Sequence, residues 1–399
     1  MSEATSDVVV VGAGLVGASV ALALAQAGRQ VTLLDARAEV AVRTPTGEAD
    51  FDARIYAISP GSISFLQALG AWGLLNPARL TPVYDMEIVG DAPGGTARTQ
   101  LSAYESQVTH LCVMLEEREL AGVFTALLAK APSIKRLHGV SVKGVAVSDA
   151  CASLVLSDGS TLAASLLVAA DGANSALRTQ AGIGTSLTDY RQQGVVANFS
   201  TEKPHRNKAF QWFRPLGDDG VLAYLPLPGQ RISIVWSCSN ARAAALQALD
   251  TAALAAEVAR AGDHRLGVLT QIGATQAYPL TNLRAESLIG ARLALVGDAA
   301  HVVHPLAGQG VNLGFRDAAA LQVALQEAPD CGATATLQRY ARARRNDILA
   351  LHAATHGLFG LFARSTEAHP VIGLMRNTGM NLANRLPVLK NFLIQQAMR

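Results

Sequence analysis

The hydrophobic pattern opens with a β-branched run, Val8–Val11, that reads as a buried strand. Small and apolar helix formers follow over Ala18–Ala27, Gly28 ends that helix, and Val31–Leu34 is a second strand closed by Asp35. The next stretch, 36–48, reads as a loop leading to Asp52–Ser59 and a short helix through Leu69. Val83–Gly90 and Arg98–Ala103 read as strands around a turn at Pro93–Gly95, and Glu116–Lys130 sets Leu120, Phe124, Leu127 and Leu128 at helical spacing. Strands are expected over Val140–Val147, Ser153–Leu156 and Thr161–Ala169, with Asp-Gly in the hairpin turn at Ser157–Ser160. A denser β region follows at Val195–Ser200, Ala209–Phe213, Val221–Pro226 and Arg231–Ser237. This module, roughly Tyr190–Gln276, is expected to pair with the strands near residues 83–103. Alanine-rich helices cover 241–261, and helices fill the C-terminal part.

Two glycine clusters punctuate this pattern. Gly12, Gly14 and Gly17 stand at G-x-G-x-x-G spacing between the first strand and helix, enclosing Leu15 and Val16. One glycine suits a tight turn, one leaves room for a pyrophosphate, and one allows close helix–strand packing. Asp35, followed by Ala36 and Arg37, is placed to accept hydrogen bonds from a ribose. Far downstream, Leu293–Gly314 runs from an apolar strand into Gly297-Asp298, then Pro305, Gly308, Gln309, Gly310, Val311 and Asn312. An acid at a strand end can hold ribityl or ribose hydroxyls, and the glycines let backbone N–H groups approach a ring edge or pyrophosphate. A third element, Leu166–Arg178, is a strand followed by Asp171-Gly172. Two distant segments converging on one dinucleotide say more than either alone.

Composition narrows the class. At 399 residues the chain is long enough for two domains, or for one domain with a sizeable insertion. Apolar residues make up 50% and charged ones 16%, which leans towards an oily ligand or a peripheral contact. A net charge of +2 gives no sign of a nucleic-acid partner. The four cysteines lie far apart with no C-x-x-C, as in a reduced cytoplasmic protein, and no metal site is expected. The N-terminus enters its first strand at once, leaving no room for a signal peptide, and Ile348–Ala363 is too short to span a bilayer.

Together GAGLVG, ADGANSALR and VGDAAHVVHPLAGQGVNLGFRD resemble the three fingerprints of single-component FAD-dependent aromatic hydroxylases. Within that superfamily, DARIYAIS, LEERELAGVFTALL, HPLAGQGVNLGFRD and YARARRNDILAL are similar to segments of the ubiquinone-biosynthesis branch. The resemblance implies an α/β fold. A Rossmann-like FAD-binding domain of the p-hydroxybenzoate-hydroxylase type would carry an inserted mixed β-sheet substrate domain and C-terminal helices. The FAD domain would comprise residues 1–80, 105–188 and 278–328, the substrate domain 81–104 and 189–277, and the helical region 329–399. By the same resemblance Arg54 and Arg118 lie near the flavin, Arg118 bonding the ribityl or phosphate part. NAD(P)H would visit and reduce FAD. With O₂ a flavin C4a-hydroperoxide would then deliver oxygen to a lipophilic phenol.

No catalytic side chain is assigned. His301 and His304 stand beside the flavin motif, where a histidine can move a proton, but the alternative is that they brace and pack the loop. Trp212, Phe213, Tyr224 and Trp236 suit an aromatic pocket or a core. Arg339, Arg342, Arg344 and Arg345 read as a solvated helix face, or as a contact to acidic lipid or a biosynthetic complex. The leading function is ring hydroxylation of a polyprenylated phenol or benzoquinol on the way to ubiquinone. The alternatives are the same chemistry on a small soluble aromatic compound, an FAD-binding scaffold, and a flavin reductase acting on prenyl double bonds.

Overall fold

The computed structural model describes residues 6–39, 47, 50–90, 98–214, 220–303 and 309–362. The chain begins with β1 (Ser6–Val11), α1 (Leu15–Gln26) and β2 (Val31–Asp35), then β3 (Ile55–Ile58) and α2 (Pro60–Ala68). Next come β4 (Thr81–Val83), β5 (Asp85–Val89), β6 (Arg98–Ser102), β7 (Cys112–Glu116) and α3 (Glu117–Ala129). After β8 (Ile134–His138), β9 (Val142–Val147), β10 (Ala152–Leu156) and β11 (Thr161–Ala169), α4 (Ala176–Gln180) leads to β12 (Thr185–Thr201). The strands β13 (Lys208–Phe213), β14 (Val221–Leu227) and β15 (Arg231–Ser239) precede α5 (Asn240–Gln247), α6 (Thr251–Ala261) and β16 (Leu269–Ala285). Last are β17 (Ile289–Gly290), β18 (Leu293–Leu295), β19 (His301–Val302), α7 (Gly310–Leu325) and α8 (Thr334–Phe362).

Among the described residues three sheets form. The first orders as β17-β18-β11-β1-β2-β8, with β10 and β9 branching from β11. Its centre is parallel: β1 pairs with both β2 and β11, and β11 with β18. Buried on both faces, β1 reads as an unbroken valine run, as parallel strands do. The second sheet orders as β19-β16-β12-β15-β14-β13-β5-β6, and the third is β3-β7-β4.

Helix α1 shows why small residues were needed. Gly17 through Leu24 are buried without a break, because α1 is enclosed between sheet, α3 and α7 rather than lying on a surface. Gly314 lets α7 come down on α1: a Cβ there would stand 2.4 Å from Val16 Cγ2.

Several expectations change. Val83–Gly90 is not one strand; it breaks at Tyr84, so that β4 pairs with β7 while β5 runs parallel to β13. The β module does reach the 83–103 strands through that pairing. The expected strand at Val195–Ser200 begins at Thr185, since polar Thr185–Asp189 pairs with Thr281–Ala285 and shows no apolar alternation to read. Strands β3, β7, β8, β16, β17 and β19 have no counterpart in the hydrophobic pattern read from the sequence.

Trp212, Tyr224 and Trp236 are core and not pocket, at most 1% exposed. Strand alternation points them all to the face covered by α5 and α6, where Tyr224 donates to the Val258 carbonyl (2.6 Å) and Trp212 Nε1 to Asp263 (2.9 Å). Arg344 is likewise not on a solvated helix face; it is 3% exposed and paired with Asp317.

The α1–α7 crossing is testable. Gly314→Ala should cost ~1–3 kcal/mol of unfolding free energy by overpacking, measured by denaturant titration, and Val16→Ala in the same chain should recover much of that loss.

Candidate active site

The first turn of α1 is where the structure concentrates its glycine. A Cβ on Gly12 would lie 2.2 Å from the Ala170 carbonyl oxygen, and one on Gly17 1.8 Å from the Gly12 oxygen. These two glycines allow backbone contact between β1, α1 and the end of β11. Gly14 is different: a Cβ there meets nothing within 4 Å. The helix it caps has no side-chain cap and no acid in its first turn, so its N–H groups and positive dipole end face open space.

That space is a cavity of about 730 Å³ between the three glycine-bearing segments. From the first come Gly12, Gly14, Leu15, Val16 and Gly17; from the end of β2, Asp35, Ala36 and Arg37. Asp171 and Gly172 contribute from the second, and Asp298, Val302, Val303, Gly310 and Val311 from the third. The second and third are strapped together by Arg178, which donates to the carbonyls of Ala173 and Ala299 (both 2.8 Å).

The carboxylates differ in their surroundings. Asp35 is buried, which alone would raise its pKa, yet bonds from Arg37 and from the Ala13 N–H (2.7 Å) hold it below the usual carboxylate range. Asp171 Oδ2 accepts the Ala176 N–H (2.8 Å), while its Oδ1 is buried with no partner among the described residues. Asp298 opens onto the cavity but is otherwise ringed by protein, and this burial pushes its pKa up against the pull of His301 and Arg54.

Arg54 also lines the cavity, with Glu117 and Tyr56. Its guanidinium bonds Glu117 (3.2 Å) and lies 4.8 Å from the ring centre of Tyr278 on β16. Tyr56 donates to the same Glu117 oxygen (3.2 Å). Burial, then the neighbouring carboxylate, raises the Tyr56 pKa and keeps the phenol neutral. Burial works against the Arg54 charge, but Glu117 and Tyr278 outweigh it.

The remaining candidates sit elsewhere. Arg118 is off the cavity lining, bonded to Asp50 (2.9 Å) and Glu116 (3.0 Å). Gly297, at φ +56, packs against Val16 behind the lining. Asn312 is fully buried, accepting from the Ser59 N–H (2.9 Å) and donating to the Ala57 carbonyl (2.8 Å), so it ties α7 to the DARIYAIS segment. Gln309 is buried at the start of α7. His301 is 2% exposed, with Nε2 2.6 Å from Asp317. His304, Pro305 and Gly308 lie outside the described residues. Tyr56, Glu117 and the Val140–Val142 wall carry no signal of their own in the sequence, whereas Asn174 belongs to the ADGANSALR fingerprint and does line the cavity. Only the pairing of β3 with β7 juxtaposes Arg54, Tyr56 and Glu117.

Comparison with known proteins agrees with this geometry. The family model described as "FAD binding domain" matches residues 5–354. The chain belongs to that family. The 3-demethoxyubiquinol 3-hydroxylase of Escherichia coli is 35% identical over 402 residues, covering 100% of both chains. The ubiquinone hydroxylase UbiL of Rhodospirillum rubrum is also 35% identical, covering 100% of this chain and 90% of its own. Among solved structures, the p-nitrophenol 4-monooxygenase PnpA of Pseudomonas putida superposes with TM-score 0.77 at 20% identity, over 100% of this chain and 99% of its own. The FAD complex of HpxO with uric acid from Klebsiella pneumoniae gives TM-score 0.73 at 19% identity, over 98% and 96%. The fold is therefore that of the p-hydroxybenzoate-hydroxylase-like flavoproteins, and the chain is an FAD-dependent monooxygenase of the ubiquinone-hydroxylase branch.

Two outcomes follow. Gly14→Ala should leave the melting of the cofactor-free protein within about 0.5 kcal/mol while weakening FAD about tenfold, roughly 1.4 kcal/mol; flavin fluorescence titration and thermal unfolding read the two separately. FAD affinity should also fall on the acid side. Asp298, with its raised pKa, takes up a proton at higher pH than an ordinary carboxylate and well before Asp35 does. Asp298→Asn should remove that acid limb in titrations across pH, with weaker binding throughout.

Proposed function

We propose that this chain hydroxylates the ring of a polyprenylated phenol or benzoquinol intermediate of ubiquinone biosynthesis. The observation that carries the proposal is full-length identity of 35% to two hydroxylases named for that series. The cavity suits FAD because of the unfilled space at Gly14, Gly172 and Gly310 and the orphaned Asp171 oxygen, which needs a donor.

In this reading the N–H groups at the start of α1 receive the pyrophosphate, and Asp35 accepts from the ribose, with Ala36 and Arg37 beside it. Asp298 and Asp171 accept from the ribityl chain. Arg54, held by Glu117, would meet the flavin, and backbone N–H groups at Gly310–Val311 would be available to stabilise charge on it. Bound FAD supplies the oxygen-activating chemistry, with NAD(P)H as electron donor and O₂ as co-substrate. The protein's part is to orient the ring and keep water out. Apolar Val302, Val303 and Val311 dry one side.

The substrate wall is read as the face of the second sheet opposite its helices. There Val196, Ala223 and Val235 alternate with the core residues and are half-buried. By the strand register the same face also carries Asn198, Gln211, Ser233 and Ser237, with Arg231 at one end, so it is a mixed surface that offers hydrogen bonds to a phenolic ring as well as apolar area. No helix among the described residues is long and apolar enough to cross a membrane. A polyprenyl substrate dwells in a bilayer, so the enzyme would meet it peripherally, alone or within a biosynthetic complex.

The test follows flavin reduction by NADH and NADPH in the purified yellow protein, with and without a short-chain prenylphenol. A product heavier by one oxygen, with the phenol speeding reduction or improving coupling, is expected. Turnover of 4-hydroxybenzoate but of no prenylphenol would favour the small soluble aromatic substrate instead. Bound FAD with no turnover on any phenol would favour the scaffold.

A further inference from the structure

Asp317, on α7, is 0% exposed and yet carries a full set of donors. Its Oδ2 accepts the Gly297 N–H (2.9 Å) and lies 2.6 Å from His301 Nε2. Its Oδ1 accepts Arg344 Nε (2.7 Å). Burial pushes the carboxyl pKa up, but His301 and then Arg344 bring it below the ordinary range. An ionised carboxylate only accepts, so His301 must carry its proton on Nε2. That commits the ring nitrogen to bracing.

The donors come from both ends of one functional segment and from a distant helix. Gly297 and His301 flank Asp298, and Val302 and Val303 follow; Asp298, Val302 and Val303 all line the cavity. Arg344 belongs to α8, which lines none of it among the described residues. Two other α8 side chains at i±4 from Arg344 lie on the same stripe of helix. Tyr340, fully buried, donates to the Leu295 carbonyl (2.7 Å), immediately before the turn. Ile348 packs with Val303 and Leu313, at the segment's far end. Tyr340, Arg344 and Ile348 thus hold the start, the middle and the end of one stretch, 295–303, the middle through Asp317. A charge buried this deeply is costly unless its geometry is fixed. Here the geometry it fixes is that of the turn bearing Asp298.

We infer that Asp317 is a positioning residue for oxygen transfer, the joint through which the Tyr340–Arg344–Ile348 stripe of α8 splints the Gly297–Val303 segment against the cofactor. The inference rests on the function proposed above. It makes the placement of the flavin depend on a helix none of whose described residues lines the cavity. A shift of that turn would move the cofactor relative to the substrate, and small misplacements cost rate and coupling more than they cost the fold.

The experiment compares the parent with Asp317→Asn, which keeps shape and removes charge, and reads each protein at saturating FAD. Expected are an altered bound-flavin absorbance spectrum, a shifted flavin midpoint potential and a larger share of NAD(P)H oxidation ending as hydrogen peroxide. FAD affinity should fall about tenfold, the scale of coupling carried through a packed network. Should Asp317→Asn fail to fold, Arg344→Lys and Tyr340→Phe carry the same test, the second deleting one hydroxyl and giving the smaller change. Variants that match the parent's spectrum, potential and peroxide share once saturated would overturn the inference, leaving Asp317 a structural ion pair. A parent that takes up no FAD would overturn the proposed function and this inference with it; a parent that binds FAD beside unaltered variants overturns the inference alone.

Discussion

Everything at this site depends on how closely three backbones approach around the first turn of α1. Gly12 and Gly17 let β1 and α1 touch the end of β11 at Ala170, and Gly314 lets α7 close on Val16, which also meets Gly297. A Cβ at any of these contacts would wedge the segments apart, because packed interiors do not yield by the width of a methyl group. The cavity is the space left once those contacts are made. Gly14, Gly172 and Gly310 face it with nothing in the way. The same residue type therefore does two opposite things within a few positions, closing the structure at Gly12 and Gly17 and opening it at Gly14.

The charge balance of the cavity bears on what fills it. Asp35, Glu117, Asp171 and Asp298 line it beside two arginines, Arg37 and Arg54. Both arginines are already engaged, Arg37 by Asp35 and Arg54 by Glu117. A dinucleotide brings two phosphates, and in such a site its charge is met chiefly by backbone N–H groups at the uncapped start of α1. The acids are left to accept from hydroxyls. A central pyrophosphate with a ribose on one side and a polyhydroxylated chain on the other is the pattern of a flavin adenine dinucleotide.

The sequence made the cradle legible because its signals are local. Glycine spacing after a valine strand, an acid at the end of β2, Asp171-Gly172 and Gly297-Asp298 can each be read from a few consecutive residues. What escaped depends on pairing or on which side of an element is covered. Glu117 and Tyr56 reach Arg54 only because β3 and β7 run antiparallel. Trp212, Tyr224 and Trp236 have the composition of an aromatic pocket, and only the seating of α5 and α6 on that side of the sheet makes them core. Arg344 looks like its solvated neighbours Arg342 and Arg345 until Asp317 on another helix is seen to claim it. Arg118, matched by motif, bonds Asp50 and Glu116 rather than lining the cavity.

The hydroxylation proposed for this cradle puts one atom of molecular oxygen into a prenylated ring. The most direct measurement is isotopic: turnover of a short-chain prenylphenol under ¹⁸O₂ in ordinary water, with NAD(P)H and FAD present, followed by mass analysis of the product. One ¹⁸O in the hydroxylated ring is expected. A product whose new oxygen comes from water, or labelled peroxide with an unchanged phenol, would contradict the proposed hydroxylation.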